Sequence, residues 1–312
     1  MNPQKRVAKR RKIAENVIMW KLQLITLYCA VCEHHSIIEA TTQRQSNNSR
    51  PQFTDEECIT VYLWGIKRRE FDLKAIYTYT KDRLLEWFPK LPSYQAFCYR
   101  LNRLVPAFQS LANLWMERAS VMSGTEMAYL VDSFPIILAK QARSSRAKVA
   151  PELCDKGFNS SRDEYYYGVK VHVFAARHTG TLPTARAMMI SHASVHDLPA
   201  AKQIMDSAHP FRGGVLYADK AYIDEEWEIT LSEDYNIKLL TPRKKQKGDA
   251  LQSGDAFSAF VSGLRQQIEC FFNWLNANTN IQCASKVRSG KGLLVHIFGR
   301  IAAALFFRYF NS

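Results

Sequence analysis

Two aspartates in this chain stand where an apolar run breaks off. Met127-Ala-Tyr-Leu-Val131 leads directly into Asp132, and Val215-Leu-Tyr-Ala218 leads directly into Asp219. Runs of this kind suit strands covered on both faces, and in open α/β sheets ligands bind beyond the carboxyl ends of the strands. If the two strands are neighbours, the carboxylates converge. At ~5 Å and an effective dielectric of ~20 they repel by roughly 3 kcal/mol, a repulsion that a hard divalent cation with oxygen ligands offsets. Glu269 is the third candidate. It lies in Leu264-Arg-Gln-Gln-Ile-Glu-Cys-Phe-Phe-Asn-Trp-Leu275, where Leu264, Ile268, Phe271 and Leu275 read as the core stripe of a helix. Glu269 falls at the margin of that stripe, one turn beyond Arg265. Three carboxylates around two magnesium ions make a clamp for in-line displacement at phosphorus, one ion serving the attacking oxygen and the other the leaving one.

Each acid taken alone has an ordinary reading. An aspartate after an apolar run is usually a cap or turn residue. Arg265 and Glu269 could be a simple i,i+4 pair on a helix surface. Their joint appearance carries the chemistry.

The elements that must position these residues divide the chain in two. Up to residue 122 the pattern is helical, which predicts a helical domain over 1–122. Leu22, Leu24, Ile25, Leu27 and Tyr28 support a first helix that fades in the polar run 41–51. Thr54-Asp-Glu-Glu57 has capping-box spacing, a third helix ends before Pro89, and a fourth runs from Tyr94 to Met116 with a kink or break at Pro106. From 123 to 312 the period changes. Strands are expected at 127–131, around Val169, Val171 and Val173, at 182–190, at 215–218 and at 237–240. A helix capped by Asp197 should run to His209, another should open at Asp224, and two more should cover 257–277 and 293–310. That order implies a mixed sheet with helices on its faces.

Charge narrows the partner. The chain has 312 residues, with Lys and Arg exceeding Asp and Glu by 13, a balance that favours a polyanion such as nucleic acid. Residues 1–125 hold 19 Lys and Arg against 11 Asp and Glu, and a basic arm that includes Lys5, Arg6, Arg10 and Arg11 opens the chain. Lys220 beside Asp219, the run Arg243-Lys244-Lys245, and Arg265 are the other candidates for DNA phosphates. An apolar content of 47% excludes a disordered or collagen-like chain, and seven cysteines are too few for a disulfide scaffold. No cleavable apolar segment follows the basic arm, and His296 and Arg300 interrupt the most apolar stretch. A soluble, cytoplasmic protein without membrane attachment is therefore expected. Cys29-x-x-Cys32 lacks a second ligand pair at zinc spacing and reads as core. Neither a P-loop nor a Gly-x-Ser-x-Gly nucleophile motif is present.

Val131-Asp-Ser-Phe-Pro135, Tyr167-Gly-Val-Lys-Val-His172, His196-Asp197, Tyr217-Ala-Asp-Lys-Ala-Tyr222 and Arg265-x-x-x-Glu269 together resemble a bacterial insertion-sequence DDE transposase. Phe53-Thr-Asp-Glu-Glu and Phe88-Pro-Lys-Leu-Pro-Ser-Tyr94 resemble the insertion sequence 982 group in particular. The resemblance implies an RNase H-like catalytic domain behind an all-helical DNA-binding domain, with the DDE acids at Asp132, Asp219 and Glu269. It implies Mg²⁺ as cofactor, with Mn²⁺ as a substitute, and double-stranded DNA as partner, both transposon terminal inverted repeats and target. Holding two ends together implies at least a dimer, in a bacterial nucleoid-associated setting. The Tyr-x-x-Arg-x-x-x-Glu signature departs here, with Ser262 and Asn276 where a tyrosine and a distal lysine are usual; Lys286 is the candidate replacement for the lysine. A metal-dependent nuclease without strand transfer, or an inactive repressor derived from a transposase, are the alternatives.

Overall fold

The computed structural model describes residues 3–39, 51–124, 127–160, 162–243 and 255–310, with only the helical backbone for 3–17 and 38–39. Contacts group the chain into two units, Met1–Ala112 with Ile297–Ser312, and Asn113–His296. A cut at 122/123 differs from this by ten residues and by the returning C-terminal segment, which no local pattern announces.

The first unit is helical. It contains α1 (Pro3–Glu39), α2 (Asp55–Lys67), α3 (Leu73–Arg83) and α4 (Tyr94–Arg103), and the start of α5 (Val105–Met122). Thr54 caps α2 with both capping-box bonds present: its hydroxyl accepts from the Glu57 N–H, and the Glu57 carboxylate accepts from the Thr54 N–H. The break expected at Pro106 falls at Leu104, so the proline sits in the first turn of α5, where its missing N–H costs nothing. In α1, Leu24, Leu27 and Val31 are buried while Ile18, Met19, Leu22 and Ile25 are exposed.

The second unit carries a six-stranded sheet: β1 (Ala128–Lys140), β2 (Asp155–Asn159), β3 (Glu164–Ala176), β4 (Thr184–His192), β5 (Gly214–Tyr217) and β6 (Ile237–Leu240). Its order is β2-β3-β1-β5-β6, with β4 also paired to β3. β1, β3 and β4 are antiparallel neighbours, whereas β5 and β6 run parallel to β1. Helices α6 (Asp197–Ala208) and α7 (Glu225–Tyr235) make the crossovers that parallel pairing demands. This is an RNase H-like mixed sheet flanked by helices, as the resemblance implied. Two helices follow it, α8 (Ala256–Thr279) and α9 (Gly290–Tyr309). By length and composition α9 could cross a membrane, but 72% of its apolar window is buried inside the protein.

Three local expectations change. β1 does not stop at Asp132 but continues to Lys140, because pairing with β3 outlasts pairing with β5. β2 was not legible in the pattern of its five residues. β3, whose alternation of Val169, Val171 and Val173 with Lys170 and His172 reads as a half-buried strand, is buried on both faces: His172 is fully covered, its Nε2 2.7 Å from the Ser191 hydroxyl.

Candidate active site

Register builds the site. In the parallel β1/β5 ladder, Leu130 faces Tyr217, and two residues further along each chain stand Asp132 and Asp219. Gly214 makes that register possible. It has φ 101°, and a Cβ there would run into the Met127 carbonyl oxygen, so only glycine lets β5 lie this close to β1. After β5 the chain turns into a short 3-10 segment, Lys220–Tyr222, capped by Asp219, whose carboxylate accepts from the Lys220 N–H. Capping and a catalytic role are thus compatible at this residue, since the cap uses one carboxylate oxygen.

α8 supplies the cation. Its buried residues include Val261, Arg265, Ile268, Phe272 and Leu275, so the arginine occupies the inward stripe assigned by pattern to Leu264. Arg265 Nη2 donates to Asp132 Oδ2 at 2.9 Å, and its Nη1 lies 4.0 Å from Asp219 Oδ1. The Ser133 N–H donates to the other Asp132 oxygen at 2.8 Å. Burial pushes the Asp132 carboxyl up to about 6; the Arg265 charge and the Ser133 N–H oppose this, and Asp197 and Asp219 add to it. Asp132 is 20% exposed at its side chain and Asp219 48%. The first is a desolvated carboxylate, the second an open one facing solvent.

Two residues that the motifs contain, but to which no site role was assigned, belong to this environment. Asp197 does not cap α6; His196 holds that position without a side-chain bond. Instead the Asp197 Oδ1 accepts from the Ser133 hydroxyl at 2.9 Å and from Lys170 Nζ at 3.0 Å, and His172 Nδ1 lies 3.6 Å away. Burial drives His172 down to about 4 against the pull of Asp197, so it is neutral here. Tyr222 is 1% exposed and its hydroxyl has no hydrogen-bond partner among the described residues. Burial raises its pKa well above the ordinary value, reinforced by Asp132 and Asp197. It closes the Tyr217–Tyr222 motif three residues past Asp219, which is the sequence signal that points to it.

Glu269 is not brought into the pair. It is exposed on α8 one turn beyond Arg265, and among the described residues no group of three or more His, Cys, Asp or Glu is close enough to hold a metal ion. Lys220 is exposed beside Asp219. Arg243 follows β6 and is engaged with the α8 cap: its N–H donates to the Ser258 hydroxyl and its Nε lies 3.7 Å from Asp255. Lys244 and Lys245 fall outside the described residues, as do the side chains of Lys5, Arg6, Arg10 and Arg11 on α1.

An RNase H-like sheet with paired aspartates where β1 and β5 part defines a class of phosphoryl-transfer proteins that work on nucleic acid. Residues 124–306 match the family described as the transposase DDE domain. That is more than half of the chain, and the chain belongs to this family, whose members cleave DNA and transfer strands with divalent metal ions. No curated protein sequence matches the chain. Among solved structures, the cryo-EM structure of the piggyBac transposase synaptic complex with hairpin DNA is similar at 10% identity and a TM-score of 0.48, covering 92% of this chain and 74% of that one.

The residues present fit a divalent ion at Asp132 and Asp219. Arg265 is already a cation drawn by both carboxylates, 2.9 Å from Asp132 and 4.0 Å from Asp219. Oxygen ligands suit a hard ion.

Proposed function

We propose that this DDE transposase binds double-stranded DNA at the inverted repeats of an insertion sequence, frees a 3′-hydroxyl there, and directs it at target DNA. The observation that carries the reading is one buried guanidinium drawn by Asp132 on β1 and by Asp219 just past β5. Asp132 and Asp219 would hold Mg²⁺, with Mn²⁺ as substitute, and Glu269, exposed one turn beyond Arg265 on α8, would be the third acid of the set. The ion supplies Lewis-acid activation at phosphorus. Arg265 and Lys220 then hold phosphate oxygens, with Arg243 and the flanking lysines 244 and 245 along the backbone. The helical unit and its basic arm bind the ends. Exposed Ile18, Met19, Leu22 and Ile25 on α1 offer an apolar stripe for pairing two copies.

The test is incubation of wild type and Asp132→Ala with duplexes bearing the flanking repeats, Mg²⁺, a labelled 3′-hydroxyl end and a target plasmid. Cleavage and joined product from wild type alone support the reading. Cleavage without joining would make the protein a nuclease, and equal cleavage by both proteins would remove the site.

A further inference from the structure

Past the carboxylates, β1 runs on for eight residues to Lys140 and borders a groove of about 700 Å³. The α8–α9 loop is laced to β1 here: the Ile137 N–H donates to the Gln282 carbonyl at 2.8 Å, and the Ala284 N–H donates to the Ile137 carbonyl at 2.9 Å. The lining combines amide side chains, Asn276, Asn280 and Gln282, with the cations Lys140, Arg143 and Arg162. From Lys140 to Lys148 the chain carries four cations and no acid. Lys140 is paired with Glu164 at 3.1 Å. Arg143, Arg146, Lys148 and Arg162 have no ion pair among the described residues, and Arg143 and Arg162 are exposed. Guanidinium groups without an ion pair among the described residues, beside amide donors, suit phosphate oxygens.

Distance connects this groove to the aspartates. Eight residues of strand span about 26 Å, and phosphates recur every ~3.4 Å along one strand of a duplex. A duplex with one phosphate at Asp132 and Asp219 therefore brings others to the groove about eight base pairs away. We propose that this groove is a second DNA-backbone station, holding the duplex whose scissile phosphate lies between the two aspartates. The inference rests on the transposase reading and adds a place where the substrate is gripped without base recognition.

The test uses the full chain and a fluorescent random-sequence duplex of about 30 base pairs, with binding measured across a salt series. Arg143→Glu with Arg162→Glu should weaken binding about tenfold or more and flatten the salt slope by about two. Arg212→Glu, at the opposite end of β5, should leave both unchanged. If the glutamate variants do not fold, Arg143→Gln with Arg162→Gln carries the same expectation in slope. A double variant indistinguishable from Arg212→Glu on this duplex overturns the proposal while leaving the transposase reading standing. Wild type that binds no duplex at all overturns both.

Discussion

β1 carries two regions of opposite character. At Asp132 the strand is flanked by β3 and approached by β5, the carboxylate is mostly buried, and its charge is met by one buried arginine. At Lys140 the strand has left β5 behind, the side chains reach water, and nearby Arg143 and Arg162 have no ion pair among the described residues. The difference is one of solvation. A charge in the interior must be matched by a partner, and its removal is costly; a cation in water costs little and remains available to a ligand. The buried end of the strand is built for chemistry on one bond, whereas the wet end is suited to grip without selectivity.

The largest expected effect lies at the buried end. Asp132→Ala should reduce Mg²⁺-dependent cleavage by roughly a thousandfold or more while leaving duplex binding intact, read from product formation and from binding anisotropy. Loss of both together would erase the division of labour along β1. Arg265→Ala should come next: it strands a buried carboxylate, and without metal the fold should lose about 3 kcal/mol. Mg²⁺ should restore part of that, because the ion takes the place of the guanidinium; thermal melts with and without Mg²⁺ read both. Affinity for Mn²⁺, followed by calorimetry, should fall about tenfold per pH unit as pH drops below about 6. The sign follows from the raised Asp132 pKa: below it the carboxyl is protonated and must lose a proton to bind the ion. A flat profile between pH 5 and 6 would show that Asp132 is not a ligand. Smallest is Tyr222→Phe, which deletes a buried hydroxyl without a partner. In the metal-free protein it should leave the melting midpoint unchanged or raise stability by up to about 1 kcal/mol; a clear loss would mean that the hydroxyl is bonded in solution.

Much of the fold was legible because local rules and global packing agree in it. The Thr54 capping box, the β5 run, Asp224 at the start of α7 and the limits of β6 all follow from spacing and residue type. What escaped has identifiable causes. β2 is five residues of mixed character stabilised by pairing with β3, and no residue-level period marks it. Leu264 and Arg265 are adjacent on α8, and hydrophobicity alone puts the leucine inward; the aspartates reverse the order by giving the guanidinium a buried partner. Asp197 has the residue type of a cap, but Ser133 and Lys170 draw its carboxylate across to β1 and β3.

The order of residue types alone specified the two acids that close apolar runs, the alternation of helix and strand, and the excess of positive charge, since each depends only on neighbours in the chain. Which charges meet was decided by the fold. Asp132 and Asp219 are 87 positions apart in the chain, and only the β1/β5 register, set where Gly214 lets two backbones approach, stands them side by side. The same folding buried Arg265 between them, left Glu269 on the outer face one turn away, and assembled a cationic groove from segments whose proximity no local spacing encodes. Electrostatic energy depends on separation in space and on the water between charges, and neither quantity exists until the chain has packed.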